Sequence, residues 1–341
     1  MKSWPIIVLL VLLCSCSGSA EDKMADESDQ DTLIVDSLEL YSGMVKQYPN
    51  SSESYYQRAA YLIRQGDIQS AQADLESAIA IDSSVNKVRT LYADVMVAQL
   101  DLETGKYNYE YVLSNDSSNV KALMGLAKIY ALLENNAQAV YYLGTLLEYN
   151  PYYADAYFMK GMIYQSDYYK TGRQESWDRA VSSYQTAVEQ DPNYYSAYVA
   201  LGVMHDQVNS DLALEYYNAA LEVYPESIEA WYNIGWFYQK RGDIDNAQAT
   251  YRRLNQIDST YAEGYYNQGY IQLINIGNVD SAIFFFDKAV YFDPEYYKAY
   301  NNLGLCYEKK KDYNEARKYY QKAIEIYPDF QLAKDNLNAL Q

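Results

Sequence analysis

Apolar and small residues return along residues 33–341 on a step of about 34 positions. Counted from Tyr297, positions 7, 8, 11, 20, 24, 27 and 32 are Leu303, Gly304, Tyr307, Ala316, Tyr320, Ala323 and Pro328. Counted from Ile228, the first six of these are Ile234, Gly235, Tyr238, Ala247, Tyr251 and Leu254. Counted from Val120, the seven are Leu126, Ala127, Tyr130, Ala139, Leu143, Leu146 and Pro151. Inside each step the apolar positions fall at i, i+3, i+4 and i+7, the spacing of one helix face, in two runs separated by a turn. The pattern predicts eight helical pairs, over 52–85, 86–119, 120–153, 154–194, 195–227, 228–261, 262–296 and 297–330. A lone capping helix is expected over 33–51 and a short one over 331–341, covering the two ends of a stack.

Small residues mark where the helices of a pair come closest. They are Ala59, Ala93, Ala127, Gly161, Gly202, Gly235, Gly269 and Gly304 in the first helices, and residues such as Ala71, Ala139, Ala180 and Ala247 in the second. Interaxial distances near ~8 Å require such side chains. Tyr184, Tyr217, Tyr251, Phe286 and Tyr320 are expected to fill the space beside them. Pro151, Pro192, Pro225, Pro294 and Pro328 follow second helices, which a residue without N–H cannot extend. The pair over 154–194 carries seven extra residues around Asp167–Ser176, either a longer helix end or a contact loop.

This pattern resembles the tetratricopeptide repeat over about residues 33–341. The resemblance implies an all-α fold, a right-handed α-solenoid of about eight helical hairpins with a capping helix at each end. It also implies that the first helices line a concave groove, with positions 2, 5, 6, 9, 12 and 13 of each repeat facing it. Positions 5 and 9 give Phe158 and Met162, Val199 and Val203, Tyr232 and Trp236, Tyr266 and Tyr270. They form an apolar, aromatic stripe that either anchors a partner or packs on itself. Position 6 gives Asn233, Asn267 and Asn302, which resemble the asparagine ladder of O-linked N-acetylglucosamine transferase. There the amides pair with the backbone of an extended peptide.

The N-terminus carries an address. Trp4 to Leu13 is an apolar run too short to cross a bilayer, behind a short positive start, as in a signal segment over 1–15. The following Leu13-Cys14-Ser15-Cys16 resembles the lipobox of bacterial lipoproteins and implies acylation at Cys16; an ordinary secretory signal cleaved nearby and an uncleaved anchor are the other readings. Residues 16–32 are acidic and read as a tether. The expected location is the bacterial envelope, anchored by lipid alone, at the outer membrane and on its periplasmic face rather than the cell surface.

The charge balance narrows the partner. Lys+Arg is 27 against Asp+Glu 46, a net charge of -19, which argues against nucleic acid and for a neutral or basic partner. One His and three Cys leave no set for zinc or a disulfide framework, so no metal and no cofactor is expected. Neither His205 nor Cys306 has a catalytic partner nearby in the pattern, and no catalytic residue is assigned. The expected function is a lipid-anchored scaffold that binds a protein or extended peptide in its groove. A carbohydrate-binding lipoprotein is the alternative, because Tyr and Trp also stack on sugars. No small-molecule ligand is expected.

Overall fold

The computed structural model describes residues 30–340, with side chains from Leu38 onward. The signal segment, Cys16 and nearly all of the acidic tether lie outside the described residues. All regular structure among the described residues is helical. There are eighteen helices: α1 (Gln30–Gln47), α2 (Ser52–Arg64), α3 (Ile68–Ile81), α4 (Asn86–Ala98), α5 (Leu102–Asn115), α6 (Val120–Leu132), α7 (Asn136–Tyr149), α8 (Ala154–Thr171), α9 (Gln174–Gln190), α10 (Tyr195–Gln207), α11 (Leu212–Val223), α12 (Ile228–Lys240), α13 (Ile244–Ile257), α14 (Ala262–Tyr270), α15 (Val279–Phe292), α16 (Tyr297–Lys309), α17 (Tyr313–Ile326) and α18 (Gln331–Ala339). A π-helical turn, Ile271–Ile276, continues α14.

The chain divides into two bodies, one through Gln190 and one from Asp191. Each is a stack of helical hairpins in series, the α-solenoid arrangement. In the N-terminal body α2 pairs with α3, α4 with α5, α6 with α7 and α8 with α9. In the C-terminal body α10 pairs with α11, α12 with α13, α14 with α15 and α16 with α17, and α18 covers α17.

Six of the eight turns inside the hairpins share one construction. A residue with left-handed backbone is followed by Asp or Asn, whose side chain caps the second helix. Gly66, Gly242 and Gly277 take φ of 79°, 75° and 80°, while Leu100, Glu134 and Lys311 hold φ of 66°, 55° and 62°. The next residues, Asp67, Asp243, Asn278, Asp101, Asn135 and Asp312, each accept a backbone N–H three residues on. Such a cap satisfies one of the orphan donors of the first turn.

Packing inside a hairpin follows a volume trade. Where the second helix brings an aromatic ring, the facing position on the first helix is Gly. A Cβ added at Gly161 would stand 2.5 Å from Tyr184, at Gly235 2.6 Å from Tyr251, and at Gly304 2.5 Å from Tyr320. Where the second helix brings Leu75 or Leu143, the facing residue is Ala59 or Ala127, and all four are fully buried. The wedged tyrosines keep a polar outlet at position 12 of the first helix. Tyr184 donates to Gln165 Oε1 at 2.6 Å, Tyr251 to Gln239 Oε1 at 2.9 Å, and Tyr320 to Glu308 Oε2 at 2.7 Å. A buried hydroxyl would otherwise lose its hydrogen bond to water uncompensated. Tyr109 departs from the rule: it slides under Gly125 of the next repeat and donates to Asp94.

Two repeats are longer, and the structure shows where the extra residues go. At 154–194 both helices lengthen, to 18 and 17 residues, and meet at Gly172 with φ 68°. The insertion is therefore helix, closed by Asp167, which accepts from Arg173 Nη2 at 3.0 Å and from the Ser176 hydroxyl. At 262–296 the single extra residue is absorbed by the π turn, as one-residue insertions into a helix commonly are. Phe286 accordingly still meets Gly269.

Candidate functional site

The first helices of the C-terminal body are joined by a side-chain link that recurs at the repeat spacing. Position 5 of one repeat meets position 6 of the next. The Asn267 amide engages the Tyr232 hydroxyl. Asn302 Nδ2 donates to the Tyr266 hydroxyl at 3.3 Å, and Asn336 Nδ2 donates to Asn301 Oδ1 at 3.0 Å. These contacts run α12 to α14, α14 to α16 and α16 to α18. The two tyrosine links are reinforced by the aromatic residue just ahead of the next first helix. Tyr261 meets Tyr232 edge-on at 6.5 Å between ring centroids, and Tyr296 lies 4.9 Å from Tyr266. Burial raises the hydroxyl pKa of both Tyr232 and Tyr266, while the asparagine bonds act in the opposite sense.

The candidate residues of the stripe therefore fall into two layers. Position 5 forms a lower, packed layer: Tyr232 and Tyr266 are half-buried, and Tyr266 also packs on Phe286 at 5.7 Å. Position 9 forms the upper layer, where Trp236 is 45% and Tyr270 36% exposed. Tyr232 and Trp236, like Tyr266 and Tyr270, are four residues apart and share a face. Beyond Tyr270 the π turn exposes Ile274. Val199 is buried against Ala220 and Ala230, and Val203 packs beside it. In the N-terminal body Phe158 and Met162 are half-buried, and Phe158 packs on the wedged Tyr184 at 5.5 Å.

The asparagines differ among themselves. Asn267 is 6% exposed, and its amide and that of Asn302 are engaged by the tyrosines of the preceding repeat. Asn233 is half-buried, and no hydrogen bond engages its amide among the described residues. The cause lies one repeat back, where position 5 is Val199 and offers no polar atom. Asn233 stands one turn before Trp236, on the same face.

Carboxylates border this face. Glu229 and Glu263, at position 2 of their repeats, lie in the first turns of α12 and α14. Tyr195 donates to Glu229 Oε2 at 3.2 Å. Lys298, exposed at position 2 of the next repeat, adds a cation to this row, whereas three others are committed to ion pairs. Lys240 and Arg241 converge on Asp206 at 3.3 and 3.2 Å, and Lys310 pairs with Asp280 at 2.8 Å. His205 is buried and stacked on Tyr216 at 5.3 Å, with its pKa lowered by burial. The buried Cys306 thiol is pushed up to about 12 by the same cause, the opposite of an activated nucleophile.

Sequence comparison agrees with the repeat construction. Tetratricopeptide-repeat family models match residues 52–84, 216–249, 262–296 and 297–330. The DnaJ homolog subfamily C member 7 homolog of Dictyostelium discoideum is 24% identical over 309 residues, covering 87% of this chain and 52% of that protein. Tetratricopeptide repeat protein 6 of Homo sapiens is 25% identical over 193 residues, 56% of this chain and 36% of that one. The chain thus spans about half of the first relative and about a third of the second. Among solved structures, the monomeric mutant of IFIT1 with Gppp-AAAA is similar in fold, with a TM-score of 0.53 at 18% identity over 86% of this chain and 67% of that one.

Proposed function

Because the chain carries tetratricopeptide repeats, we propose that it is a binding scaffold that holds an extended protein segment along α12 and α14. One observation carries this reading. Trp236 and Tyr270 stand exposed at the same position of successive repeats, above a layer of tyrosines fixed by Asn267 and Asn302. Exposed aromatics on a rigid support are the usual anchors of an interface, since they lose little entropy when covered. The open Asn233 amide beside Trp236 offers one donor and one acceptor, the pair an extended backbone requires. The finer reading adds the address: Cys16 is acylated and tethers the scaffold to the bacterial envelope. Mass spectrometry of the mature N-terminal peptide tests the anchor, and an unmodified terminus beginning elsewhere contradicts it.

The test of binding uses peptides selected from a random displayed library on the full chain. Trp236→Ala and Tyr270→Ala are expected to weaken the selected peptides at least tenfold, the size typical of a central anchor at ~2 kcal/mol. Tyr291→Ala, which removes an exposed ring from the second helix α15, should leave affinity unchanged. Wild-type affinity in both groove variants overturns the reading.

A further inference from the structure

Resting on the reading above, the same face differs from helix to helix in what it offers a backbone. Four first helices of the C-terminal body carry asparagine at position 6: Asn233, Asn267, Asn302 and Asn336. Three of these amides are aimed at the scaffold. Asn302 is taken at both ends: its Nδ2 donates to the Tyr266 hydroxyl and its Oδ1 accepts from Asn301 Nδ2, each at 3.3 Å. Asn336 Nδ2 donates to Asn301 Oδ1 at 3.0 Å. Asn267 is buried with its amide on the Tyr232 hydroxyl. Asn233 differs because of Val199, which packs on Ala230, one turn before it. Val199 holds the position that is Tyr232 and Tyr266 in the next two repeats, and it has no hydroxyl to give.

Over α14 the face is apolar instead. Asn267 is 6% exposed there, whereas Tyr270 and Ile274 are 36% and 51% exposed. We propose that Asn233 is the single place where this face pairs with the backbone of a bound segment, through one N–H and one C=O, and that Val199 keeps it open. The partner segment is therefore bipartite. Over α12 it needs a residue with a free N–H, which excludes proline. Over α14 it presents an apolar side chain, proline included, to Tyr270 and Ile274. Neighbouring packed helices lie ~8–10 Å apart and an extended chain rises ~3.3 Å per residue, so the two residues stand about three apart in the segment.

The test uses nonapeptides selected on the full chain from a random displayed library, each remade with one backbone nitrogen methylated in turn and titrated by fluorescence anisotropy. Methylation at one position is expected to cost about tenfold, the size of leaving a buried polar group unmet. Asn233→Ala should itself cost about tenfold and then make that methylation harmless. Val199→Tyr should act like Asn233→Ala, by supplying the hydroxyl that occupies the amide. Asn302→Ala should leave the methylation costly. Thermal melts followed by circular dichroism verify that the variants fold, and the Asn233→Ala comparison decides alone if Val199→Tyr does not. If every costly methylation stays costly in Asn233→Ala, the inference is overturned. It is overturned too if the cost vanishes in Asn302→Ala, or if the selected peptides carry proline freely at the sensitive position. If Trp236→Ala weakens the peptides while no methylation is costly, the face binds but the backbone pairing falls. If Trp236→Ala leaves every peptide at wild-type affinity, the binding face falls and the pairing with it.

Discussion

Gly235 and Tyr251 exchange volume atom for atom, and the rest of the chain supplies the control. Elsewhere the same two positions are Ala and Leu, as in Ala59 with Leu75 and Ala127 with Leu143. Gly235→Ala gains up to ~1 kcal/mol of helix propensity. It also drives a methyl to 2.6 Å from a fully buried ring, and overpacking of this kind costs ~1–3 kcal/mol. We expect a net loss in denaturant unfolding, and expect Gly235→Ala with Tyr251→Leu to recover most of it. Additive losses in the double variant would refute the trade. The trade was legible in the sequence, because Gly and aromatic residues alternate with Ala and Leu at fixed positions. The fate of the asparagines was not. Whether an amide at position 6 is engaged depends on position 5 one repeat back, so Asn267 and Asn302 hold tyrosines while Asn233 faces Val199 and stays open.

At the scale of elements, period and helix faces specify the hairpins, and the all-helical fold follows from them. Insertions are harder to place, because extra residues that continue an apolar face leave no mark on it. The extra residues at 154–194 lengthen α8 and α9, and the fold closes them with the Asp167, Arg173 and Ser176 bonds. Those bonds, led by that of Ser176, hold the Asp167 pKa below the usual aspartate range. A carboxylate depressed in the folded state contributes stability above its unfolded pKa, about 3.9, and loses it as pH falls through the depressed value. Amide exchange over residues 168–176 should therefore quicken selectively as pH drops below about 3.9. Asp167→Ala should produce about a fivefold quickening at neutral pH, from ~1 kcal/mol of hydrogen bonding. Exchange in that segment indifferent to both changes would show that the turn is held by packing alone.

The whole chain presents an acidic protein whose first helices, in the C-terminal body, are bolted side by side. Tyr232, Tyr266 and Asn301 each lend a group to the asparagine of the next repeat. That arrangement fixes where an exposed ring stands, and so gives Trp236 and Tyr270 a rigid spacing. The stripe seen in the sequence was half a packing feature and half a surface. Composition alone could not separate the layers, because Tyr serves in both. The central claim is that a segment lies along α12 and α14. The most direct test places a photo-crosslinking residue at Trp236, at Tyr270 or at Tyr291 in turn, and irradiates the full chain with a library-selected peptide. Adducts are expected at Trp236 and Tyr270 and not at Tyr291; adducts at Tyr291 with none at the other two would contradict the account.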